Sequence, residues 1–591
     1  MRGFFGFIPG SEKEGFDASQ PLLSEDKTLA LIFNGELYNP KELRSALEEK
    51  GCALSTGEDA EIVLRLYGEY GHGMLHHLQG MFACAVFDSR TKSLFVARDP
   101  FGTKSVYYTR LPGGGLMFGS EIKDFFSVPS FKTELNEQAL AEYLTFQYSV
   151  LPETFFKGVY KLLPAHFLTF ENGELKITRY FTPVFTPSEM TLDAAVSAID
   201  GAVRDSVSKC LAGGGENTGA FLSGGVDSGY LAACASESAA GAGTLKTFTV
   251  GFDYEKYNEI SYAKSLSEKL GAEHFTKLIT TGEYWEHLPV IQRHLDEPLA
   301  DPAAAAFYFS CREAARQVKV AFSGEGADEF FGGYNIYREP LDLKILTRLP
   351  RWLRKFLAFI ARCVPFDFKG KNFFIRGAEE VEERFIGNAK IFTEGERAEI
   401  LRDGVGEGAP GARNVTRPYY DQVKGEDDIT KMQFLDLHLW MAGDILYNVE
   451  KMSAAHSLTV RMPYLDREVF RVATKLPTGL RVNRTGTKYA FRKAAALHVP
   501  RETAERYKLG FPVPIRIWLK EEKYYRQVRG YFENETAGRY FKREALIKLL
   551  DGHKKGKRDN SRKIWTVFIF LLWHEQYFEA RTREKNEDEA V

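Results

Sequence analysis

One segment holds residues whose types and spacing suit chemistry on a phosphate chain. In Phe221-Leu-Ser-Gly-Gly-Val-Asp-Ser228 an apolar run ends in Ser-Gly-Gly, and a small-residue helix is expected from Gly229 to Ala240. Gly224 and Gly225 let backbone N–H groups approach an anion closely. The helix N-terminus adds its dipole, and Ser223 and Ser228 add hydroxyl donors. Asp227 repels a bare phosphate, so a carboxylate at that position makes sense if it holds Mg²⁺. The segment lacks GxxxxGK[ST] and is not a Walker loop. The plainer alternative is a Gly-rich turn between a strand and a helix.

The elements that must position this loop are legible around it. From about residue 190, helical segments alternate with short apolar strands at Gly219–Leu222, Thr247–Val250 and Val318–Phe322. Such alternation predicts a parallel sheet with helices on both faces, whose sites lie at the carboxyl ends of the strands. The first ~130 residues instead read as strands and turns. Leu29–Phe33 is an apolar run that Asn34-Gly35 is expected to close as a turn, and Met81–Phe87 is a second buried run. Ser93–Ala97 and Ser105–Tyr108 follow, with a Gly-rich turn at Gly113–Gly115. Glu58 to Tyr70 has helical spacing, with Ile62, Leu66 and Tyr70 on one face. From about 340 the chain reads as mostly helical, and the ten apolar residues Ile564–Trp573 are too few to span a bilayer and read as a buried helix.

Composition narrows the function classes. With 591 residues, 44% hydrophobic and 27% charged, the chain is ordinary globular protein of two to four domains. A net charge of −2 gives no global basic field, so neither nucleic acid nor membrane is expected as a partner. Six cysteines at 52, 84, 210, 234, 311 and 363 form no CxxC pair, which argues against a zinc ribbon or disulfide scaffold and for a reducing cytoplasm. The opening residues lack the apolar core of a signal peptide. His72, His76 and His77 cluster without a ligand pattern around them and read as solvated surface.

SGGxDS resembles the pyrophosphate loop of enzymes that cleave ATP between the α- and β-phosphates. A second loop, Ser323-Gly-Glu-Gly-Ala-Asp-Glu-Phe-Phe-Gly-Gly-Tyr334, looks like the SGxGADExFGGY segment of asparagine synthetases. So do Asp296–Pro302, Glu450–Asp466, Lys488–Lys493 and Arg506–Phe511. The resemblance implies an α/β plus α+β architecture. An N-terminal Ntn-hydrolase-like, class II amidotransferase-type sandwich with its connector would cover residues 1–185. A doubly wound ATP pyrophosphatase domain with a helical extension would cover residues 190–580. It also implies roles. Leu222, Val250, Ser323 and Gly324 would contact adenosine; Ser223, Gly224, Gly225 and Ser228 would cradle pyrophosphate; Asp227 and Asp328 would share Mg²⁺. Glu325 would take a proton from the incoming ammonium, and Lys488 would stabilise the oxyanion or the phosphate transition state. Glu325 as a solvated loop carboxylate and Lys488 as an exposed helix start are the alternatives. His456 reads as a structural residue.

The amidotransferase half departs from the family pattern. The family opens Met-Cys-Gly-Ile-x-Gly-Phe, and this chain opens Met1-Arg-Gly-Phe-Phe-Gly-Phe7. Arg2 stands where chemistry needs a thiol, and a guanidinium is neither nucleophile nor base. The RHRGPD and HRRLSIID segments have no counterpart, since only Ile8 to Ile32 separates Phe7 from Phe33. Cys52 and Cys84 do not lie at a processed terminus. Asn34, Gly35, Glu36 and Asp59 match glutamine-binding positions and read as a vestige. The resemblance therefore points to a ligase that adenylates a carboxylate, the aspartate side chain first among candidates, with ATP and Mg²⁺. Ammonia, free or from a supplying partner, replaces glutamine. A macrolactam or amide synthetase acting on a peptide, a sugar or another acid is the alternative, and a non-catalytic assembly partner is the third reading.

Overall fold

The computed structural model describes residues 4–8, 17–18, 21–212, 217–238, 243–254, 258–364, 370–507, 510 and 512–579. Arg2, and with it the expected nucleophile position, lies outside them, as do Lys508, Leu509 and Phe511 of the last motif.

The N-terminal half is a sandwich of two antiparallel sheets. Strands β1 (Phe5–Ile8), β2 (Asp17–Ala18), β7 (Tyr107–Arg110), β8 (Leu116–Gly119) and β9 (Val159–Lys161) form one, in the order β2-β1-β8-β7-β9. Strands β3 (Leu22–Leu23), β4 (Leu29–Leu37), β5 (Gly80–Asp88), β6 (Ser93–Arg98), β10 (His166–Glu171) and β11 (Glu174–Arg179) form the other, in the order β11-β10-β6-β5-β4-β3. The period of two along β5 sorts its side chains. Ala83 and Ala85 face the sandwich interior with Val96 and Phe118. Phe82, Cys84 and Val86 face the helices Pro40–Glu49 and Asp59–Tyr70, which bury Leu43, Leu47, Ile62 and Leu66 against them. The expected turn at Asn34-Gly35 is absent: β4 runs straight through and pairs Gly35 with Phe82. Gly35 is there for space, because a Cβ would sit 2.1 Å from the Met81 carbonyl oxygen.

The C-terminal half is built on a parallel sheet of β12 (Thr218–Phe221), β13 (Lys246–Phe252), β14 (Glu273–Ile279), β15 (Val320–Phe322) and β16 (Thr459–Arg461), in the order β14-β13-β12-β15-β16. Strands β14 and β16 are additions to the three read from the sequence. Helices follow through to Ser561–His574, every residue of which is buried except Arg562 and Lys563. No described helix is long and apolar enough to cross a membrane. None of the six cysteines is in a disulfide.

The two halves share one core. Phe101, from the loop after β6, packs against Phe330 and Phe470 of the C-terminal half at ring distances of 5.2 and 5.3 Å. Glu450 accepts from the Ser105 backbone N–H at 2.8 Å and from the Ser105 hydroxyl. Lys451 pairs with Asp296 at 2.5 Å and donates to the Ser120 carbonyl at 3.0 Å, all of it buried. Asp296 in turn accepts from the Ile122 N–H at 2.9 Å. Thus the Glu450-Lys451 pair of the fourth motif ties the halves together.

Candidate active site

Strand β12 ends at Phe221, and the backbone turns through Gly224 at φ +71° before entering the helix Val226–Ser238. The turn is held from within: the Ser223 N–H donates to the Ser228 hydroxyl oxygen at 3.1 Å, and the two serine hydroxyls lie 3.0 Å apart. Outside, Arg506 clamps it. Its guanidinium donates to the Gly224 carbonyl at 3.1 Å and to Glu259 at 2.9 Å, and stacks 3.7 Å over the Tyr262 ring. Cation–π and charge-assisted bonds together fix the arginine rather than leave it mobile.

The second loop leaves β15 beside the first, because those two strands are hydrogen-bonded neighbours. A Cβ on Gly324 would lie 3.3 Å from both the Asp227 Cβ and the Ser228 backbone nitrogen. Gly326, at φ +92°, begins the short helix Ala327–Phe331 that carries Asp328. Lys488 comes from 160 residues further on, in the left-handed conformation (φ 55°, ψ 38°) that caps the helix Tyr489–Ala495. Its ammonium is 2.5 Å from Asp227 and 2.6 Å from Asp328 and is buried, so the exposed-helix-start alternative is excluded. Gly333 makes room for this triad: a Cβ there would lie 1.8 Å from Asp328 Oδ1 and 2.3 Å from Lys488 Cε.

These groups line one cavity of about 390 Å³. Leu222, Ser223, Gly225, Asp227, Ser228, Val250, Ser323, Gly324, Glu325, Asp328 and Lys488 all reach its wall, and Gly224 sits just behind it. Glu325 is half-buried, with its Oε1 3.4 Å from the Ser323 hydroxyl. Asp227 and Asp328 converge on the Lys488 ammonium. Two carboxylates completed by phosphate oxygens are a donor set that suits Mg²⁺. Among the described residues no group of three or more His, Cys, Asp or Glu gathers as an all-protein metal site.

Several residues at or behind the wall carry chemistry that the motifs did not single out. Arg492 is desolvated, which lowers its pKa, and it feels both Asp227 and Asp328. Burial, then Asp328, pushes the Glu329 carboxyl up to about 7. The Tyr334 hydroxyl donates to Glu329 at 2.6 Å and accepts from the Trp440 indole at 3.0 Å. At the cavity's other end Asp444 lies beside Asp301. Burial first, then Asp301, raises Asp444 well above the usual carboxylate range, and Gln147 donates to it at 3.0 Å. Spacing gave no signal for Asp444, because it lies on the wide helical turn Met441–Ile445.

In the N-terminal half, Asn34, Gly35 and Glu36 lie on β4, and Asp59 opens the helix beside them. Asp59 accepts from the Leu37 N–H at 2.8 Å, and Glu36 receives the guanidinium of Arg461 at 2.6 Å. Burial pushes both candidate thiols up, Cys84 to about 12. His72, His76 and His77 are exposed. His456 packs 4.3 Å from the Tyr308 ring and is pulled down to about 4 by burial.

Paired glycine loops meet over a shared carboxylate–lysine triad in one half, and an antiparallel sandwich forms the other. The chain belongs to the asparagine synthase family, whose model matches residues 198–575, and a glutamine amidotransferase domain model matches residues 14–181. It is 41% identical to the glutamine-hydrolysing asparagine synthetase 1 of Bacillus subtilis, over 98% of this chain and 90% of that protein. It is 29% identical to the glutamine-hydrolysing asparagine synthetase 3 of Bacillus subtilis, over 82% of this chain and 75% of that protein. The chain is therefore an ATP-dependent, AMP-forming carbon–nitrogen ligase acting on small molecules.

Proposed function

We propose that this ligase makes asparagine from aspartate and ammonia, in the cytoplasm, and that its amidotransferase half does not hydrolyse glutamine. The observation that carries the first part is the convergence of Asp227, Asp328 and Lys488 between the two loops. Asp227 and Asp328 would hold Mg²⁺, which when bound neutralises charge on the phosphates. Ser223, Gly225 and Ser228 bind the pyrophosphate portion, Leu222 and Val250 the adenosine. Lys488 steadies the phosphate as the aspartate carboxylate attacks. Glu325 then removes a proton from ammonium so that nitrogen can attack the acyl carbon and AMP can leave. The adjoining Asp301 and Asp444 carboxyl groups at the cavity's other end offer acceptor oxygens that suit the α-ammonium of an amino-acid substrate.

The second part rests on the short stretch between Phe7 and Phe33, on Arg2, and on Glu36 being engaged by Arg461. The test is direct: purified protein with ATP, Mg²⁺ and aspartate should release pyrophosphate and form asparagine with ammonium. Glutamine should support neither at a comparable rate. Glutamate release from glutamine as fast as pyrophosphate release would sink the second part, and pyrophosphate release that ignores aspartate would sink the first.

A further inference from the structure

The helix Arg351–Cys363 is amphipathic in the wrong sense for a surface helix. Trp352, Phe356, Phe359, Ile360 and Cys363 recur at i, i+4, i+7, i+8 and i+11, the spacing of one helical face. That face points to solvent: Trp352 is 70% exposed, Phe356 55% and Phe359 63%. What turns inward is Arg354, Ala358 and Ala361. Arg354 is held there by Glu380 at 2.9 Å and by the Gly377 carbonyl at 3.2 Å. Ile345 is 77% exposed on the preceding helix Glu339–Thr347, which packs against this one. A contiguous apolar face of this kind marks an interaction site.

Its charge setting indicates the occupant. From Lys344 to Val364 the chain has six Lys and Arg residues and no Asp or Glu, a local excess hidden by the net charge of −2. Lys344, Arg348, Arg351, Lys355 and Arg362 are exposed around the patch. Arg351 and Arg362 reach the half-buried Glu383 and Glu379 only at 3.4 Å, weak pairs that leave both guanidinium groups exposed. A second copy docked by a two-fold axis would set these cations against themselves. Aromatic residues along a line, flanked by cations, fit the headgroup zone of an anionic bilayer. We propose that the helix Arg351–Cys363, with Ile345, docks the enzyme on an anionic lipid surface, lying in its plane rather than crossing it.

Trp352 gives the readout, since the other five tryptophans are buried. The full-length protein is floated with vesicles of phosphatidylcholine alone or with one third phosphatidylglycerol, and acrylamide quenching is followed. Binding to the anionic vesicles should be at least about tenfold tighter and weaken with salt, and Trp352 should become shielded. Phe356→Ser with Phe359→Ser, and separately Arg348→Glu with Lys355→Glu, should each weaken it about tenfold or more. Asparagine formation in solution should stay unchanged in both. Absence of flotation, equal binding to both vesicles, or bound protein with Trp352 still quenched would overturn the proposal. So would a concentration-dependent dimer that Phe356→Ser dissolves.

Discussion

At the scale of single residues, the proposed reading divides the cavity wall between groups that act on phosphate and a group that acts on the amine. Adenylation needs the loops, the carboxylates and Lys488 but no base, whereas ammonium has no lone pair until a proton leaves. Glu325→Asp keeps the charge and withdraws it by one methylene, out of hydrogen-bond reach of the amine. We expect pyrophosphate released per amide formed to be near one for the wild type and clearly above one for Glu325→Asp. Lys488→Ala should cut both products by about 10²–10³ and leave their ratio alone. An unchanged ratio in Glu325→Asp, with both products down equally, would assign Glu325 to nucleotide binding. Glu329 yields a pH prediction. Its carboxyl is held at about 7, above the value it has when unfolded, so folding favours its neutral form. The stabilisation is complete below the usual Glu range and is lost as pH rises through about 7. Glu329→Gln keeps an acceptor for the Tyr334 hydroxyl without the charge. It should therefore gain up to ~3 kcal/mol relative to the wild type between pH 5 and 8 in urea unfolding. A difference between the two proteins that does not change with pH would refute this.

Among the elements, glycines rather than acids decide how closely the site can assemble. Gly333→Ala would drive a methyl into Asp328 and Lys488, at 1.8 and 2.3 Å, and should lower pyrophosphate release on the order of 10². Gly395→Ala, in the helix Glu394–Ile400 with nothing within 4 Å of the added carbon, is the matched control and should leave it intact. Wild-type turnover in Gly333→Ala would mean that the triad rearranges in the working enzyme. The first loop, its strand and its helix were legible in the sequence because an apolar run, Ser-Gly-Gly and small residues change period at one place. Strand β14 was not, since Glu273-His-Phe-Thr-Lys-Leu-Ile279 is a sheet edge that is mostly open to solvent and carries no apolar run. Strand β16 is three residues long, too short for any period to register. Asn34-Gly35 misled because the dipeptide that favours a tight turn also supplies the missing Cβ that β4 needs beside Met81.

For the molecule as a whole, the amidotransferase half has a structural reason to persist whether or not it hydrolyses glutamine. Phe101 packs on Phe330 of the second loop, Ser105 and Ser120 hold Glu450 and Lys451, and Glu36 holds Arg461, whose carbonyl accepts from the Ser323 N–H at 2.9 Å. Removing that half would strip the synthetase of part of its own core. On the proposed reading, restoring glutamine hydrolysis is a different problem from restoring one atom. A glutaminase of this type needs a thiol with a free α-amine beside it, a glutamine carboxylate partner and open acidic groups for the glutamine amine. Arg2→Cys supplies the thiol alone. The segments between Phe7 and Phe33 remain short, and Glu36 remains bound to Arg461. Misplacement near reacting atoms already costs orders of magnitude, and here whole contacts are missing. We therefore expect Arg2→Cys to make asparagine from ammonium at the wild-type rate and to release negligible glutamate from glutamine. Glutamine-dependent synthesis comparable with the ammonium rate in this single variant would show that the surviving Asn34, Gly35, Glu36 and Asp59 still form a complete glutamine pocket.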